Sequence, residues 1–240
     1  MITLYGRKPV LEILLDPEAS IFRLHLAESN QRGDTITQIR KLAQERDIDI
    51  ITHPKEALSR ISKKARQDQG VAIDIAPPKY QSVEQLSDNA GQLLALDGIT
   101  NPQNLGMIIR SVAASPMNGL LLPKKGCAKI DPLVHKASAG TLIKSSIYHC
   151  PTIESGLKSL QSKGYQLIGL SGGVDRSLGD IGNANEKTVF ILGNETTGIS
   201  EPVLALCDEL ACIQLESGVE SINVAMAATL VAFRSTFSGT

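Results

Sequence analysis

The sequence predicts an α/β protein with a small N-terminal unit and a larger C-terminal parallel sheet. Short apolar runs alternate with helical patterns along most of the chain. From residue 91 onward the runs are almost continuously apolar, which is typical of strands buried on both faces of a parallel sheet. Helices between such strands are expected to cover both faces of that sheet.

The first third of the chain predicts a small α/β unit. Helical periodicity covers residues 9–15 and 35–46, and β-like runs cover residues 21–26, 48–51 and 71–75. The run Ala76-Pro77-Pro78-Lys79 follows, and proline both lacks an amide donor and disfavours helix in the preceding residue. We therefore expect a first domain at 1–77, a linker at 78–90 and a second domain at 91–240.

The second domain alternates four apolar runs with four helical patterns. The predicted strands cover residues 93–96, 120–122, 166–170 and 189–192. The predicted helices cover residues 105–114, 134–143, 153–162 and about 223–237. Ligand sites in parallel sheets lie at the carboxyl ends of the strands, so the loops that follow these strands are where chemistry is expected.

Length, composition and charge limit the classes of function. The chain has 240 residues, 42% of them hydrophobic, and a formal net charge of −1. No global positive field attracts a polyanion, so nucleic-acid binding would need local basic patches. With 3% aromatic residues and no Trp, rows of stacking aromatics are disfavoured. The absence of an apolar leader or a long apolar run predicts a cytoplasmic protein without a membrane segment.

The four cysteines predict neither a metal site nor a redox pair. They form no CxxC motif and have no companion histidines at zinc spacing. We expect them to be reduced packing residues: Cys127, Cys150, Cys207 and Cys212.

Three segments of the second domain have residue patterns that suggest a functional role in addition to a structural one. The first, at residues 96–111, runs from a strand end through a polar loop into a helix that contains Asn104, Gly106 and Arg110. Small Gly106 permits close approach of another group to this helix. The alternative is an Asn-capped helix with a surface arginine.

The second segment, at residues 189–199, places Gly193 and Gly198 around the carboxylate of Glu195. Glycine lets backbone groups face a ligand without a Cβ between them. The alternative is a tight strand-to-helix connection in which Ser200 caps the next helix.

The third segment, at residues 213–225, leads into a helix rich in small residues. Either Ser221 or Asn223 could simply cap that helix.

Together, the order and spacing of these segments resemble the SpoU family of RNA 2′-O-ribose methyltransferases, within the SPOUT superfamily. The resemblance covers about residues 94–234 and rests on N-x-G-x-x-x-R, G-x-E-x-x-G and S-x-N-V elements. These elements stand at Asn104, Gly106 and Arg110, at Gly193, Glu195 and Gly198, and at Ser221, Asn223 and Val224. The first domain is similar to the family's substrate-binding domain, through Tyr5-Gly6 and Gln69-Gly70.

The resemblance implies a C-terminal sheet threaded into a trefoil knot, a homodimer, and S-adenosyl-L-methionine as cofactor. The implied cofactor-binding residues are Leu192, Gly193, Gly198, Ile213, Leu215 and Ile222. Three positions depart from the usual family pattern: Asn101, Thr196 and Gln214. None of them removes a group that the resemblance assigns to methyl transfer.

The resemblance also implies that Arg110 acts on the target ribose, with no metal. Because guanidinium is effectively always protonated, we expect electrostatic stabilisation of the developing alkoxide rather than an arginine base. The implied orienting residues are Asn104, Glu195, Ser221 and Asn223. The conventional alternative bases, His135 and His149, fall in no family motif, and we expect both to be structural.

Two basic clusters are predicted to contact RNA phosphates, although solvated surfaces are the alternative. One cluster comprises Arg60, Lys63, Lys64 and Arg66. The other includes Lys124 and Lys125, followed by Lys129, Lys136 and Lys144.

By family analogy we expect the substrate to be ribosomal RNA rather than transfer RNA. The rival functions are tRNA ribose methylation and a non-catalytic RNA-binding role. A different nucleotide enzyme is disfavoured because no strand precedes a GxGxxG or P-loop sequence.

Overall fold

The computed structural model describes residues 1–30, 33–62, 68–76, 80–87, 89–181 and 187–237. The chain divides into two compact units. The first comprises Met1–Lys79 with Ile130–Ile143, and the second comprises Tyr80–Lys129 with Lys144–Thr240. Within the described residues, no helix has both the length and the apolar character that a membrane crossing requires.

The first unit is built on a four-stranded mixed sheet of order β1-β4-β2-β3. Its elements are β1 (Ile2–Tyr5), α1 (Arg7–Leu15), β2 (Ile21–Ala27), α2 (Asp34–Glu45), β3 (Ile50–His53), α3 (Lys55–Ser62) and β4 (Val71–Ile75). Strand β4 is antiparallel to both β1 and β2, whereas β2 and β3 are parallel. One face of the sheet packs its apolar side chains with those of α1 and α2.

The opposite face carries a chain of hydrogen bonds that joins all four strands. The Thr3 hydroxyl donates to Asp74 Oδ1 at 2.6 Å, and Asp74 Oδ2 lies 3.1 Å from His25 Nε2. His25 Nδ1 lies 2.9 Å from His53 Nε2. Because a carboxylate only accepts, His25 donates from Nε2 to Asp74. The Asp74 carboxylate therefore orients the His25 ring, whose Nδ1 faces His53 Nε2.

The sequence predicted part of this unit correctly. Both helices and the strands at residues 21–26 and 71–75 are confirmed as α1, α2, β2 and β4. The predicted strand at 48–51 is shifted, because β3 begins at Ile50. Strand β1 and helix α3 were missed: β1 pairs with β4, which is distant in sequence, and α3 buries only Leu58 and Ser62.

The second unit contains a seven-stranded parallel sheet of order β11-β9-β10-β6-β7-β8-β5. The strands are β5 (Gln81–Ser82), β6 (Gln92–Leu96), β7 (Gly119–Pro123), β8 (Ile147–Cys150), β9 (Gln166–Leu170), β10 (Thr188–Leu192) and β11 (Glu209–Ala211). The helices from this part of the sequence are α4 (Pro102–Ala113), α5 (Pro132–Ala137), α6 (Ile153–Ser162), α7 (Glu201–Leu204) and α8 (Val224–Phe237). Helix α5 belongs to the first unit, where it packs against β1. The predicted α/β class and parallel sheet are confirmed.

Burial explains why the central strands were visible in the sequence. Every residue of β6, β7 and β10 is buried, and after the polar first residues Gln92 and Thr188 the runs of β6 and β10 are continuously apolar. Helices α4 and α8 pack against each other, and the hydroxyl oxygens of Ser111 and Thr229 lie 2.8 Å apart. Small side chains such as Ala225 and Ala228 are buried on α8, which permits a close approach of the two helices.

The predicted helix at residues 134–143 is confirmed only as far as Ala137. Helix α5 ends at Ala137, and a short 3-10 helix follows at Thr141–Lys144. Between them Ala139 and Gly140 have positive φ values of 52° and 86°, which a right-handed helix does not allow. Apolar periodicity continues across this break, which explains the error.

Candidate active site

A cavity of about 240 Å³ lies at the carboxyl ends of β9 and β10. The segment between β11 and α8 supplies further walls. This position matches the general rule for ligand sites in parallel sheets. All six residues predicted to bind the cofactor line the cavity: Leu192, Gly193, Gly198, Ile213, Leu215 and Ile222.

The loop after β10 depends on a close backbone approach. Asn194 and Gly198 exchange two backbone hydrogen bonds of 2.9 Å each, and Gly198 has a φ of 71°. A Cβ on Gly193 would stand 2.2 Å from the carbonyl carbon of Gly198 and from the amide nitrogen of Ile199. No side chain fits at residue 193 without moving the backbone, so glycine is required there.

The loop after β6 is bonded to both ends of this loop. The Asp97 amide donates to the Leu192 carbonyl at 2.9 Å, and the Ser200 amide donates to Asp97 Oδ2 at 2.8 Å. The Asn194 side chain donates to the Gly98 carbonyl at 2.7 Å. Ser200 stands at the N-cap position of α7, as the alternative interpretation expected, but its side chain makes no capping bond. The two strand-end loops therefore form one connected structure.

Three of the predicted catalytic residues form a hydrogen-bonded chain. Asn223 Oδ1 accepts from the Ala225 amide at 2.9 Å, so Asn223 also caps the start of α8. Its Nδ2 donates to Asn104 Oδ1 at 3.1 Å. Nδ2 of Asn104 in turn donates to Glu195 Oε1. The backbone bond fixes the orientation of the Asn223 amide. This orientation in turn determines which atoms donate and which accept in the bonds from Asn223 to Asn104 and from Asn104 to Glu195.

The other two predicted catalytic residues are placed differently. Ser221 lines the cavity together with Glu195. Arg110 is exposed on α4, and its guanidinium makes no hydrogen bond or ion pair with any residue in the described ranges. Arg110 lies six residues after Asn104, which places the two side chains about 120° apart around the helix. The single chain therefore does not bring Arg110 to the cavity.

Several wall residues were missed by the sequence analysis. Leu170, Ser171 and Gly172 line the cavity at the carboxyl end of β9. The same strand-end rule that singled out the other loops could have found them, because their strand was predicted. Three positions depart from the usual family pattern, and none of them lines the cavity: Asn101, Thr196 and Gln214. Asn101 caps α4 by accepting from the Gln103 amide at 2.9 Å.

The predicted RNA-binding residues are only partly described. Arg60 is exposed on α3. Lys63, Lys64 and Arg66 lie outside the described residues. Lys124 and Lys125 are exposed directly after β7. Because β7 is parallel to its neighbour β6, these two lysines lie at the same edge of the sheet as the strand-end loops.

The two histidines considered as bases do not line the cavity. His135 is 2% exposed, and burial lowers its pKa to about 4, so the ring is neutral near pH 7. His149 stacks on Tyr80 with ring centroids 4.7 Å apart, and burial followed by nearby Lys124 lowers its pKa. Both environments are those of packed side chains.

The cysteines are free thiols. Burial raises the pKa of Cys150 to about 12 and that of Cys207 to about 11, so neither is a thiolate near pH 7. In the described ranges, no group of three or more His, Cys, Asp or Glu side chains is arranged to hold a metal ion.

The family model described as the SpoU rRNA methylase family matches residues 91–233. This protein belongs to that family. A second model, for RNA 2′-O ribose methyltransferase substrate binding, matches residues 3–81. The SpoU resemblance inferred from the motifs is therefore confirmed, and the protein is an RNA methyltransferase of this family.

Individual relatives agree with this assignment. An uncharacterized tRNA/rRNA methyltransferase of Mycolicibacterium smegmatis is 32% identical over 232 residues, which span 94% of this SpoU-family chain and 73% of the relative. The fold is similar to that of the SpoU methyltransferase AviRb of Streptomyces viridochromogenes in complex with AdoMet, with a TM-score of 0.83, 21% identity, and coverage of 97% and 88% of the two chains. An AdoMet-bound rRNA methyltransferase of Sinorhizobium meliloti gives a TM-score of 0.80 at 20% identity, over 98% and 86% of the chains.

The backbone approach at residue 193 predicts a contrast between two glycine substitutions. Gly193→Ala should lower the free energy of unfolding by at least about 3 kcal/mol, because its Cβ meets backbone atoms that cannot rotate away. Gly198→Ala should cost only about 1 kcal/mol, because a Cβ there meets no atom within 4 Å and only the positive φ is unfavourable. Urea unfolding of both variants measures the difference. Equal losses would contradict this account of the loop.

Proposed function

We propose that this protein transfers a methyl group from S-adenosyl-L-methionine to a ribose 2′-hydroxyl of structured RNA, with ribosomal RNA as the substrate. The observation that carries the proposal is the cavity, where the six predicted cofactor residues lie beside the Asn104, Glu195 and Asn223 chain. The substrate-binding family model over residues 3–81 supports ribose as the acceptor. The AdoMet complex of AviRb supports the cofactor.

The walls of the cavity fit the chemistry of this cofactor. Apolar side chains of Leu192, Ile213, Leu215 and Ile222 suit the adenine ring and the methionine stem. The glycine-containing loop after β10 leaves backbone amides and carbonyls for polar contacts. When bound, the cofactor supplies a methyl group that is already activated on a sulfonium.

The remaining task of the chain is to align the ribose and stabilise its oxygen as the hydroxyl proton passes to water. Glu195 is held by Asn104 through one oxygen, so its second oxygen can accept a hydrogen bond from the substrate. Ser221 lines the same cavity and orients the ribose. Arg110 is not at the cavity in the single chain, so we assign its stabilisation of the developing alkoxide to the dimer proposed next.

We propose that the protein acts as a homodimer through α4 and α8. These two helices pack together, and among their described side chains three large apolar ones are exposed: Met107 at 41%, Met226 at 63% and Leu230 at 48%. A second copy on this face would remove them from water. Arg110 lies one turn after Met107 on α4, so in this dimer its guanidinium lies at or beside the interface.

The domain limits and the knot are part of the same proposal. We assign residues 1–77 to RNA-substrate binding and residues 91–240 to methyl transfer, with 78–90 as the linker, except that residues 130–143 pack in the first unit and β5 joins the sheet of the second. The limits of the two family models support this division. We propose that the chain after β11 threads into a trefoil knot. The return of residues 213–222 to the end of β10, where they line the cavity, supports it.

RNA is held by basic side chains on both units. Lys124 and Lys125 follow β7 at the edge of the sheet where the cavity loops lie, and so are placed for phosphate contacts. Arg60 contributes from α3, together with Lys63, Lys64 and Arg66.

Methyl transfer to RNA tests the proposed function directly. Protein incubated with tritiated S-adenosyl-L-methionine and total RNA should label ribosomal RNA. Digestion of that RNA should release the label as a 2′-O-methyl nucleoside. Label in transfer RNA alone would establish the tRNA alternative, and label on a base would contradict ribose as the acceptor. Binding of RNA without any transfer would establish the non-catalytic alternative.

Arg110 should be essential for the rate of methyl transfer. Arg110→Lys keeps the charge but loses the planar fork, so both Arg110→Ala and Arg110→Lys should reduce the single-turnover rate by about 100-fold or more. Calorimetry with S-adenosylhomocysteine serves as the control, because cofactor affinity should not change. A near wild-type rate in Arg110→Ala with intact binding would refute this role.

The dimer face predicts a contrast between two leucine substitutions. Leu230→Glu places two charges in the proposed symmetric interface and should produce monomers at micromolar concentration. Leu15→Glu is the matched control, because Leu15 is 50% exposed on α1 in the other unit. Light scattering should give about twice the 25.7 kDa chain mass for the wild type and for the control. Equal masses for the wild type and Leu230→Glu would argue against this interface.

A further inference from the structure

A second cavity, of about 400 Å³, lies within the first unit. It is formed by β1, the end of α3 and the start of α5. Its apolar walls are provided by Ile2, Ile61, Pro132 and Leu133. The volume is in the range of small-molecule sites, and apolar walls of this kind suit a flat ring.

The polar groups of this cavity are mostly acceptors. The Thr3 hydroxyl commits its hydrogen to Asp74 at 2.6 Å, so its oxygen can only accept from a ligand. Asp131 accepts two backbone amides at the start of α5 through Oδ1, at 2.8 and 3.0 Å, and its Oδ2 is the other acceptor of an ionised carboxylate.

One donor in the wall is uncommitted. Tyr5 is 1% exposed, and among the described residues its hydroxyl has no hydrogen-bond partner. Burial, and then the nearby charge of Asp131, raise the pKa of Tyr5, so the hydroxyl keeps its proton. A buried hydroxyl without a partner costs free energy, which a ligand with an acceptor would recover.

We propose that this cavity binds a nucleobase of the RNA substrate and selects guanine. Guanine presents N1–H and an amino group side by side, which match an acceptor-rich wall, and its O6 can accept from Tyr5. Uracil presents a single N–H between two carbonyl oxygens, and these oxygens would face the acceptors of the cavity wall. The apolar walls disfavour a charged phosphate in the cavity, so the base rather than the backbone enters. The proposal rests on the proposed function, because it takes RNA as the substrate.

The test is the base preference of single-stranded RNA binding, measured without cofactor. Fluorescence anisotropy with labelled UUGUU and UUUUU compares two ligands of equal charge. The wild type should bind UUGUU at least about fivefold more tightly, on the scale of a few matched hydrogen bonds. Asp131→Asn should reduce the preference to less than about twofold, because Asn still caps α5 but replaces one acceptor by an amide donor.

Two further variants separate binding from folding. Tyr5→Phe removes a hydroxyl that has no partner among the described residues, so stability should be kept while affinity for UUGUU falls about threefold or more. Asp34→Asn makes the same chemical change as Asp131→Asn at the start of α2, outside the cavity, and should leave the preference unchanged.

The outcomes distinguish this proposal from the proposed function. A wild type without preference for UUGUU, or an unchanged preference in both Asp131→Asn and Tyr5→Phe, overturns the guanine site even if methyl transfer is observed. A preference that both variants lose supports the guanine site even if no methyl transfer is found. Should Asp131→Asn fail to fold, Tyr5→Phe alone decides.

Discussion

The backbone contact between Gly193 and Gly198 is the constraint on which the cavity depends. The loop closes so tightly that no Cβ fits at residue 193, and two backbone hydrogen bonds between Asn194 and Gly198 hold it closed. Glu195 projects from within this loop, so the backbone fixes where its side chain begins, and Asn104 holds one oxygen of its carboxylate. The alignment of a ribose hydroxyl that we propose for this site would benefit from a carboxylate on such a rigid support.

Helix α4 and the start of α8 supply the two asparagines of the hydrogen-bonded chain that ends at Glu195. Asn104 lies on α4 and Asn223 caps α8, and the hydrogen bond between them links the start of α8 to Glu195. The two helices also carry the exposed apolar side chains that we assign to the dimer face. A change in how the helices pack would therefore be transmitted to the hydrogen-bonded chain and to the dimer face together. In the dimer that we propose, this coupling gives a physical reason for assembly and methyl transfer to depend on each other.

In the first unit, the two faces of the sheet differ in polarity. One face is an apolar core with α1 and α2, whereas the other carries the chain from Thr3 through Asp74 to the two histidines. That chain commits the hydrogen of Thr3, and so contributes to the acceptor-rich wall of the second cavity. Buried polar groups that satisfy one another thus also determine which ligand chemistry the unit can accept.

The sequence by itself determined the α/β class, the buried parallel strands and the loops that carry Glu195 and the cavity glycines. Burial on both faces leaves continuous apolar runs, and strand-end loops are local in sequence. Only the tertiary structure decided the short strands β1, β5 and β11, the break after α5, and the bond from Asn104 to Glu195 across 91 residues. It also left Arg110 on an exposed surface, which its motif could not reveal. Periodicity reports which face of a local element is buried, whereas partners distant in sequence are set by packing.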